Sequence, residues 1–379
     1  MKLVVLFAVF MASFNLYAQV NAPQLISWFA GADIVGSGDF DKGEDIKDGM
    51  TVREFEFQAA SQIDQTWEGY LTLAYHNELQ QNEEHLEVHE AFLYSPRIFE
   101  QANVKIGKFF LGFGRLNRFH RHDWIFTEAP MYHKAFFGNE GVKDTGAEYS
   151  KIVGGDFNWK ATIGLVTGNE FRHEHNHEEG EEDEHDHGIQ GEHSDGQPYA
   201  PTGYLRLSGF HEITTTEGIE AGINFITRSD EEGSRYHFAG IDFIYKDRFN
   251  QFVRNLVQAE FWSRTTYLKG EDIDGLQDGG GYIYYERGFD RHHALGARID
   301  YFRFDEREEG EHLHVDGFHV TDPYQSATLS YTYRNSEFMR TRLAIEHSTG
   351  LEIDEEEKDV TRGFLQIVFN IGAHPAHVY

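Results

Sequence analysis

Trp67-Glu-Gly-Tyr-Leu-Thr-Leu-Ala-Tyr75 is the stretch on which the fold turns. In an extended chain successive side chains point to opposite faces. Trp67, Gly69, Leu71, Leu73 and Tyr75 then share one face, and Glu68, Tyr70, Thr72 and Ala74 the other. One face is apolar and the other mixed, with period two rather than 3.6, which is the pattern of a strand. The alternation returns at Asn158 to Thr167, where Trp159, Ala161, Ile163 and Leu165 line up. It returns again at Arg298 to Phe304 and at Thr361 to Ile371, where Leu365, Ile367, Phe369 and Ile371 oppose Gln366, Val368 and Asn370.

Working outward, strands are expected near 24–34, 49–60, 66–77, 85–94, 101–109, 145–152, 157–167 and 199–208. Further strands are expected near 219–227, 236–245, 254–264, 280–287, 292–303, 324–334, 338–348 and 361–371. Most have the length that a tilted bilayer-spanning strand needs, about 9–11 residues. The connections alternate between short turns (61–65, 95–100, 153–156) and long charged loops (35–48, 110–144, 168–198, 265–279, 305–323, 349–360). Short turns on one rim and long loops on the other are the pattern of an outer-membrane barrel. A soluble sandwich would share the period, but its core would be rich in Leu, Val and Ile. With 32 Phe and 19 Tyr the apolar faces are aromatic instead, as interfacial girdles require. The expected fold is all-β: a transmembrane antiparallel barrel of about 16 strands.

Composition narrows the function. The 379 residues carry 33 Lys+Arg against 64 Asp+Glu, a formal net charge of −31. That balance excludes nucleic acid as a partner, because phosphates need basic neutralisation. The absence of Cys removes disulfides, Cys-zinc sites, iron–sulfur clusters and Cys nucleophiles. Residues 1–18 pair Lys2 with an apolar run from Leu3 and end in Ala18, and read as a signal peptide for export. Residues 19–379 are then the barrel, without a second domain. No Gly-x-Ser-x-Gly, His-Glu-x-x-His or phosphate loop occurs, so the chain is not read as an enzyme, and no organic cofactor is expected. A Ser–His hydrolase on the barrel wall is a minor alternative.

Two segments stand out. In loop 168–198, His173, His175, His177, His185, His187 and His193 lie among eleven carboxylates between Glu170 and Asp195. Neutral imidazoles ligate zinc, nickel and copper, and the carboxylates raise the local cation concentration. This extracellular loop is expected to hold labile zinc or another divalent metal; a merely solvated acidic loop is the alternative. Elsewhere His85 and His89, His292 and His293, and His312 and His314 read as polar strand or loop residues. The second segment concentrates Lys105, Lys108, Arg115, Arg118, Arg121 and Lys134 against Asp123 and Glu128. With its many aromatics it is too apolar to stand in water. It is expected to fold into the lumen, with Lys105, Lys108, Arg115, Arg118 and Arg121 lining the pore, or else to be a structural plug.

Lys105-Ile-Gly-Lys-Phe-Phe-Leu-Gly-Phe-Gly-Arg-Leu-Asn-Arg-Phe-His-Arg-His-Asp-Trp124, together with Gly141 to Glu148, resembles bacterial outer-membrane porin-like proteins, in particular those labelled zinc-regulated outer-membrane receptors. The resemblance implies a barrel and an association with zinc. The chain departs from energised receptors of about 22 strands with an N-terminal plug, since its first strand is expected near Gln24. The reading is therefore a porin-like channel in a Gram-negative outer membrane, facing lipid and lipopolysaccharide, compatible with a homotrimer and with uptake of a divalent metal. The alternative is a surface metal-sequestering or adhesive protein that uses the barrel as an anchor.

Overall fold

The computed structural model describes residues 25–40, 48–78, 83–99, 102–168, 201–229, 233–249, 252–267, 269, 275–305, 313–315, 318–353 and 356–372. The signal-peptide and His-rich-loop expectations lie outside the described residues.

The chain forms β1 (Ser27–Asp39), β2 (Gly49–Gln62), β3 (Glu68–Glu78), β4 (Glu83–Phe99), β5 (Ala102–Phe110), β6 (Lys143–Gly154), β7 (Trp159–Val166), β8 (Thr202–Glu212) and β9 (Glu217–Ser229). It continues as β10 (Arg235–Phe249), β11 (Phe252–Tyr267), β12 (Leu276–Gly288), β13 (His293–Arg303), β14 (Leu313–Val315), β15 (Phe318–Ser336), β16 (Met339–Ile353) and β17 (Glu356–Gly372). Neighbours pair antiparallel in chain order, and β1 pairs β17 from Phe29↔Gly372 to Asp39↔Arg362, which closes the sheet. The three-residue β14 pairs with β15 alone while β13 pairs directly with β15, so sixteen strands make the barrel. Each of the sixteen expected strands overlaps one of them. The expected loop at 349–360 is instead mostly β16 and β17, which run on past the wall.

The alternation sorts side chains inside out relative to a soluble protein. On β13, Ile299 is 68% exposed on the outer surface while Asp300 beside it is 2% exposed within. The outer surface carries Leu71, Leu165, Ile223, Ile241, Leu329, Leu343 and Ile371. The interior holds Arg206, Asp242, Arg298, Asp300, Arg342 and Glu346. An apolar exterior of this extent fits hydrocarbon rather than water. Near the short turns Trp28, Phe157, Trp159, Phe210, Phe249, Phe289 and Phe338 form an exposed aromatic ring, as at a membrane interface. The turns there are fixed by side chains: Asp64 Oδ1 accepts from the Thr66 and Trp67 amides (2.7 and 2.9 Å), and Asp290 Oδ1 from those of His292 and His293 (2.7 and 2.8 Å).

Residues 111–142 leave β5 and fold into the lumen, with a short α1 (Met131–Phe137) and a 3₁₀ turn at Arg121–Asp123. Asn117 ties the loop's two ends together: its Nδ2 donates to the Leu111 and Val142 carbonyls (2.9 and 3.0 Å), and its Oδ1 accepts from the Val142 amide (2.6 Å). Phe113, Phe126, Phe136 and Phe137 pack edge-on against Trp262, Tyr282 and Phe302 of the wall, with centroid separations of 4.9–5.7 Å. The hydrophobic core thus lies between the loop and the inner wall.

Candidate metal-ligating site in the barrel lumen

The lumen loop divides the interior. Toward β8–β17 it meets aromatics and arginine–carboxylate pairs: Arg206 with Asp242 and Glu220, Arg264 with Asp278, Arg298 with Asp300 and Glu346, and Arg362 with Glu346. Glu260 anchors the loop there, accepting from the amides of Arg115 (2.9 Å) and Leu116 (3.2 Å) and from Trp262 Nε1 (2.8 Å). Gly114 carries the close approach. Its φ is +62°, and a Cβ at this position would sit 2.4 Å from Glu260 Oε1.

Toward β2–β4 the loop meets imidazoles and carboxylates. Two β-bulges build this wall. Between β1 and β2, Asp33 pairs Glu54 and Ile34 pairs Val52, so Arg53 is the extra residue. Between β3 and β4, Thr72 pairs Glu90 and Leu73 pairs Val88, so His89 is the extra residue. A bulge re-aims side chains that strict alternation would separate. Arg53 and Glu54 are both buried, and His89 and Glu90 both reach the loop through His120 and its neighbours.

Three groups of potential ligands result: His76, Glu87, His89 and Glu140; Glu56, His89 and His120; and Glu54, Glu56 and His122. Within each, the ligand atoms lie within 4.8 Å of one another. His76 Nδ1 is 2.5 Å from Glu140 and its Nε2 3.4 Å from Glu87. His89 Nδ1 is 2.9 Å from Glu56 and its Nε2 3.1 Å from Glu140. His120 spans Glu56 (2.5 Å) and Glu90 (3.2 Å), and His122 Nδ1 lies 2.9 Å from Glu54. Neither His76 ring nitrogen makes a hydrogen bond of acceptable geometry, and Glu54 Oε2 has no partner among the described residues.

The loop's own histidines sit in opposite environments. Burial alone would lower the His122 imidazole, but the Asp123, Glu56 and Glu54 carboxylates outweigh it and hold it up at about 9. Burial pushes His133 down to about 3 against its hydrogen bond to the Gly138 carbonyl, with Arg121 and Lys134 adding to the shift.

Of the residues expected to line a pore, Lys105 Nζ lies 3.9 Å from Glu148 and Lys108 Nζ 3.8 Å from Glu87. Arg115 and Arg118 share Glu220 at 3.2 and 3.1 Å, and the buried Arg121 lies 3.9 Å from Glu128. They are dispersed over the interior and paired with acids, rather than gathered in one basic patch. The metal-ligand expectation at His173, His175, His177, His185, His187 and His193 falls outside the described residues.

Sequence reasoning set His89 aside and missed His76, Glu54, Glu56, His120, His122 and Glu140. Parity could have found His76, which continues the Tyr70, Thr72, Ala74 face. The bulge at His89 and the seating of the loop leave no mark in a period.

A closed sixteen-stranded antiparallel barrel with an apolar exterior, a charged interior and a long loop folded inside is a porin-type outer-membrane barrel fold. The fold is shared with an anion-selective porin from Comamonas acidovorans (TM-score 0.59, 7% identity, 91% of this chain and 99% of that one). It is shared with in-vitro folded OmpT, an outer membrane protein of Vibrio cholerae (TM-score 0.57, 6% identity, 94% and 100%). The outer membrane channel DcaP of Acinetobacter baumannii is also similar (TM-score 0.56, 10% identity, 93% and 98%). In sequence, an uncharacterized protein of Aquifex aeolicus is 25% identical over 371 residues, which span 91% of this chain and 73% of that protein. No protein-family model matches the chain. The names of these similar proteins mention no zinc, so the label of zinc-regulated receptor has no support from them.

Proposed function

We propose that the protein is a porin-type channel of a Gram-negative outer membrane, exported by residues 1–18 and embedded in lipid and lipopolysaccharide. The observation that carries this is the closed barrel with an apolar outside, an ionic inside and a loop laid across the lumen. Its solutes are small ions, divalent metals such as zinc among them. Lys105, Lys108, Arg115, Arg118 and Arg121 offset part of the lumen's negative charge and so tune selectivity. Loop 168–198, with His173, His175, His177, His185, His187 and His193, raises the local metal concentration at the outer mouth. A homotrimer is consistent with this class, since one structural neighbour is described as a trimer form.

The packing of the interior favours a second reading, the barrel as an anchor. Two cavities between loop and wall, at Glu128 and at Phe126, each hold about 10 Å³, no more than one water. Planar-bilayer recordings separate the readings. A channel shows unitary currents in the full chain, and larger ones when residues 112–134 are removed. Silence from both proteins, each folded as judged by heat-modifiable migration, leaves the anchor.

A further inference from the structure

Five imidazoles run in file along the β2–β4 wall. His85 stacks on His76 at 5.0 Å between centroids, His76 meets His89 at 4.7 Å, His89 meets His120 at 5.8 Å, and His120 meets His122 at 5.6 Å. The file begins at the long-loop rim, where His85 is 53% exposed, and ends within the barrel, where His122 stacks on Phe29. Glu87, Glu140, Glu56, Glu90 and Glu54 are interleaved with it, each within 3.4 Å of a ring nitrogen.

This wall holds an arginine set too, Arg53 with Asp33 and Glu128 at 2.5 and 2.8 Å, but three of its carboxylates differ in kind from those elsewhere in the lumen. Lys143 reaches Glu87 and Glu140 at 2.9 and 3.3 Å, and Lys108 lies 3.8 Å from Glu87. Glu54, Glu56 and Glu90 have no Lys or Arg at ion-pair distance among the described residues; their ionic partners are imidazoles. Among the described residues imidazoles are the ionic groups in direct contact with these buried carboxylates, and a bound cation satisfies both kinds of group at once.

The geometry points to a divalent transition metal: His76, Glu87, His89 and Glu140 form a first binding station, and the groups Glu56–His89–His120 and Glu54–Glu56–His122 form two further stations deeper in the barrel. Four N and O ligands around zinc at about 2.0–2.2 Å lie about 3.4 Å apart; the N···O separations in this set run from 2.5 to 3.4 Å, and all its ligand atoms lie within 4.8 Å of one another. The orientation of His76 supports it. Its Nε2 lies 3.4 Å from Glu87 and its Nδ1 2.5 Å from Glu140, neither with hydrogen-bond angles, so one ring nitrogen can serve as the ligand. Imidazole with carboxylate selects zinc, nickel or copper over magnesium and calcium, which prefer oxygen alone. Adjacent stations share His89 or Glu56, so an ion can pass between them by exchanging part of its ligand set at each step. The binding stands whether or not the barrel conducts; only the role as a route rests on the channel reading.

The test uses the full chain folded in detergent, beside a chain lacking residues 172–193 that removes the zinc held by that His-rich stretch. Calorimetry with Zn²⁺ should show saturable binding of at least one ion per chain, and Co²⁺ should give the visible absorption of a low-symmetry N/O site. His76→Ala with His89→Ala should weaken Zn²⁺ binding at least tenfold; His292→Ala with His293→Ala should leave it unchanged. No saturable binding, or equal binding by the His76/His89 variant, overturns the site. If that variant does not fold, zinc X-ray absorption on the parent chain decides. Imidazole scattering around the metal is expected, and a shell of water oxygens alone overturns the proposal. No arm reads current, so a silent barrel that binds zinc removes the channel reading and leaves the site standing.

Discussion

The two walls of this lumen bury carboxylates by different means. On the β8–β17 wall Asp242, Glu346, Asp300 and Asp278 are held by Arg206, Arg298, Arg362 and Arg264. A guanidinium never loses its proton at biological pH and matches the carboxylate fork, so these charges are fixed in place. On the β2–β4 wall Glu54, Glu56 and Glu90 have only imidazoles within ion-pair distance among the described residues. Imidazole can be charged, neutral or metal-bound. One wall is built to stay as it is; the other keeps Arg53 fixed on Asp33 and Glu128 but holds Glu54, Glu56 and Glu90 against groups that can trade their charge. The aromatic packing follows the same division: the seat of Phe136 and Phe137 against Trp262 and Phe302 lies on the arginine side.

The largest effect should come from breaking the fixed wall. Arg206→Ala strands buried Asp242, and removing one partner of a buried pair costs about 3–5 kcal/mol. Urea unfolding in detergent should show that loss. Zinc should separate the walls cleanly. At one hundred times its Kd a ligand adds about 2.7 kcal/mol, and the R206A chain should gain that as fully as the parent chain. The His76→Ala, His89→Ala chain should gain none. A zinc response lost with Arg206 would mean that the two walls are one coupled network.

A middle-sized effect probes how the lumen loop is pinned. Gly114 has φ +62°, and its amide donates to Asn224 Oδ1 at 2.8 Å. An added Cβ meets Glu260 Oε1, which must then leave the Arg115 and Leu116 amides or push the loop off the wall. Gly114→Ala should cost about 1–3 kcal/mol from strain and lost hydrogen bonds. If the loop gates a current, it should raise the open fraction in bilayer recordings. A stable, unaltered G114A protein would show that the anchor at Glu260 is not what holds the loop.

How much of this was legible in the sequence follows from which forces act locally. The strands were, because period-two alternation is enforced residue by residue wherever one face meets an apolar surround: Leu71 and Leu73 outward, Tyr70 and Thr72 inward. The lumen loop was legible as well, since Phe113, Trp124, Phe126 and Phe137 cannot stand in water in such number. Its partners were not, because the contacts of Glu56 with His120 and of Glu260 with Leu116 join residues 64 and 144 positions apart. His89 was hidden for another reason. A single bulged residue changes the parity of a strand without changing its composition, and Glu84 to Glu90 reads alike with or without it. The densest His tract drew attention to loop 168–198, whereas the described histidines that converge are scattered one or two to an element.

The smallest effect concerns a histidine that belongs to the aromatic side. His133 on α1 lies edge-on to Trp124 at 5.1 Å, and its Nδ1 donates to the Gly138 carbonyl at 2.9 Å. Burial holds it neutral, with its pKa down at about 3. An unfolded chain takes up a proton on histidine near pH 6.5, so between about 6.5 and 3 the unfolded state binds more protons than the folded one. Stability from this group is therefore complete above pH 6.5 and declines as pH falls toward 3, by at most about 1.4 kcal/mol per pH unit. In the R206A background, where unfolding is easier to reach, urea midpoints at pH 7 and 5 should differ by an amount that His133→Phe reduces. Histidine ring resonances should show one imidazole that stays neutral at pH 5 and is absent from the H133F spectrum. An unchanged midpoint difference in H133F, or a His133 ring that protonates near pH 6.5, would mean that water reaches this side of the loop, and the contrast between a dry aromatic wall and an exchangeable one would fail at that point.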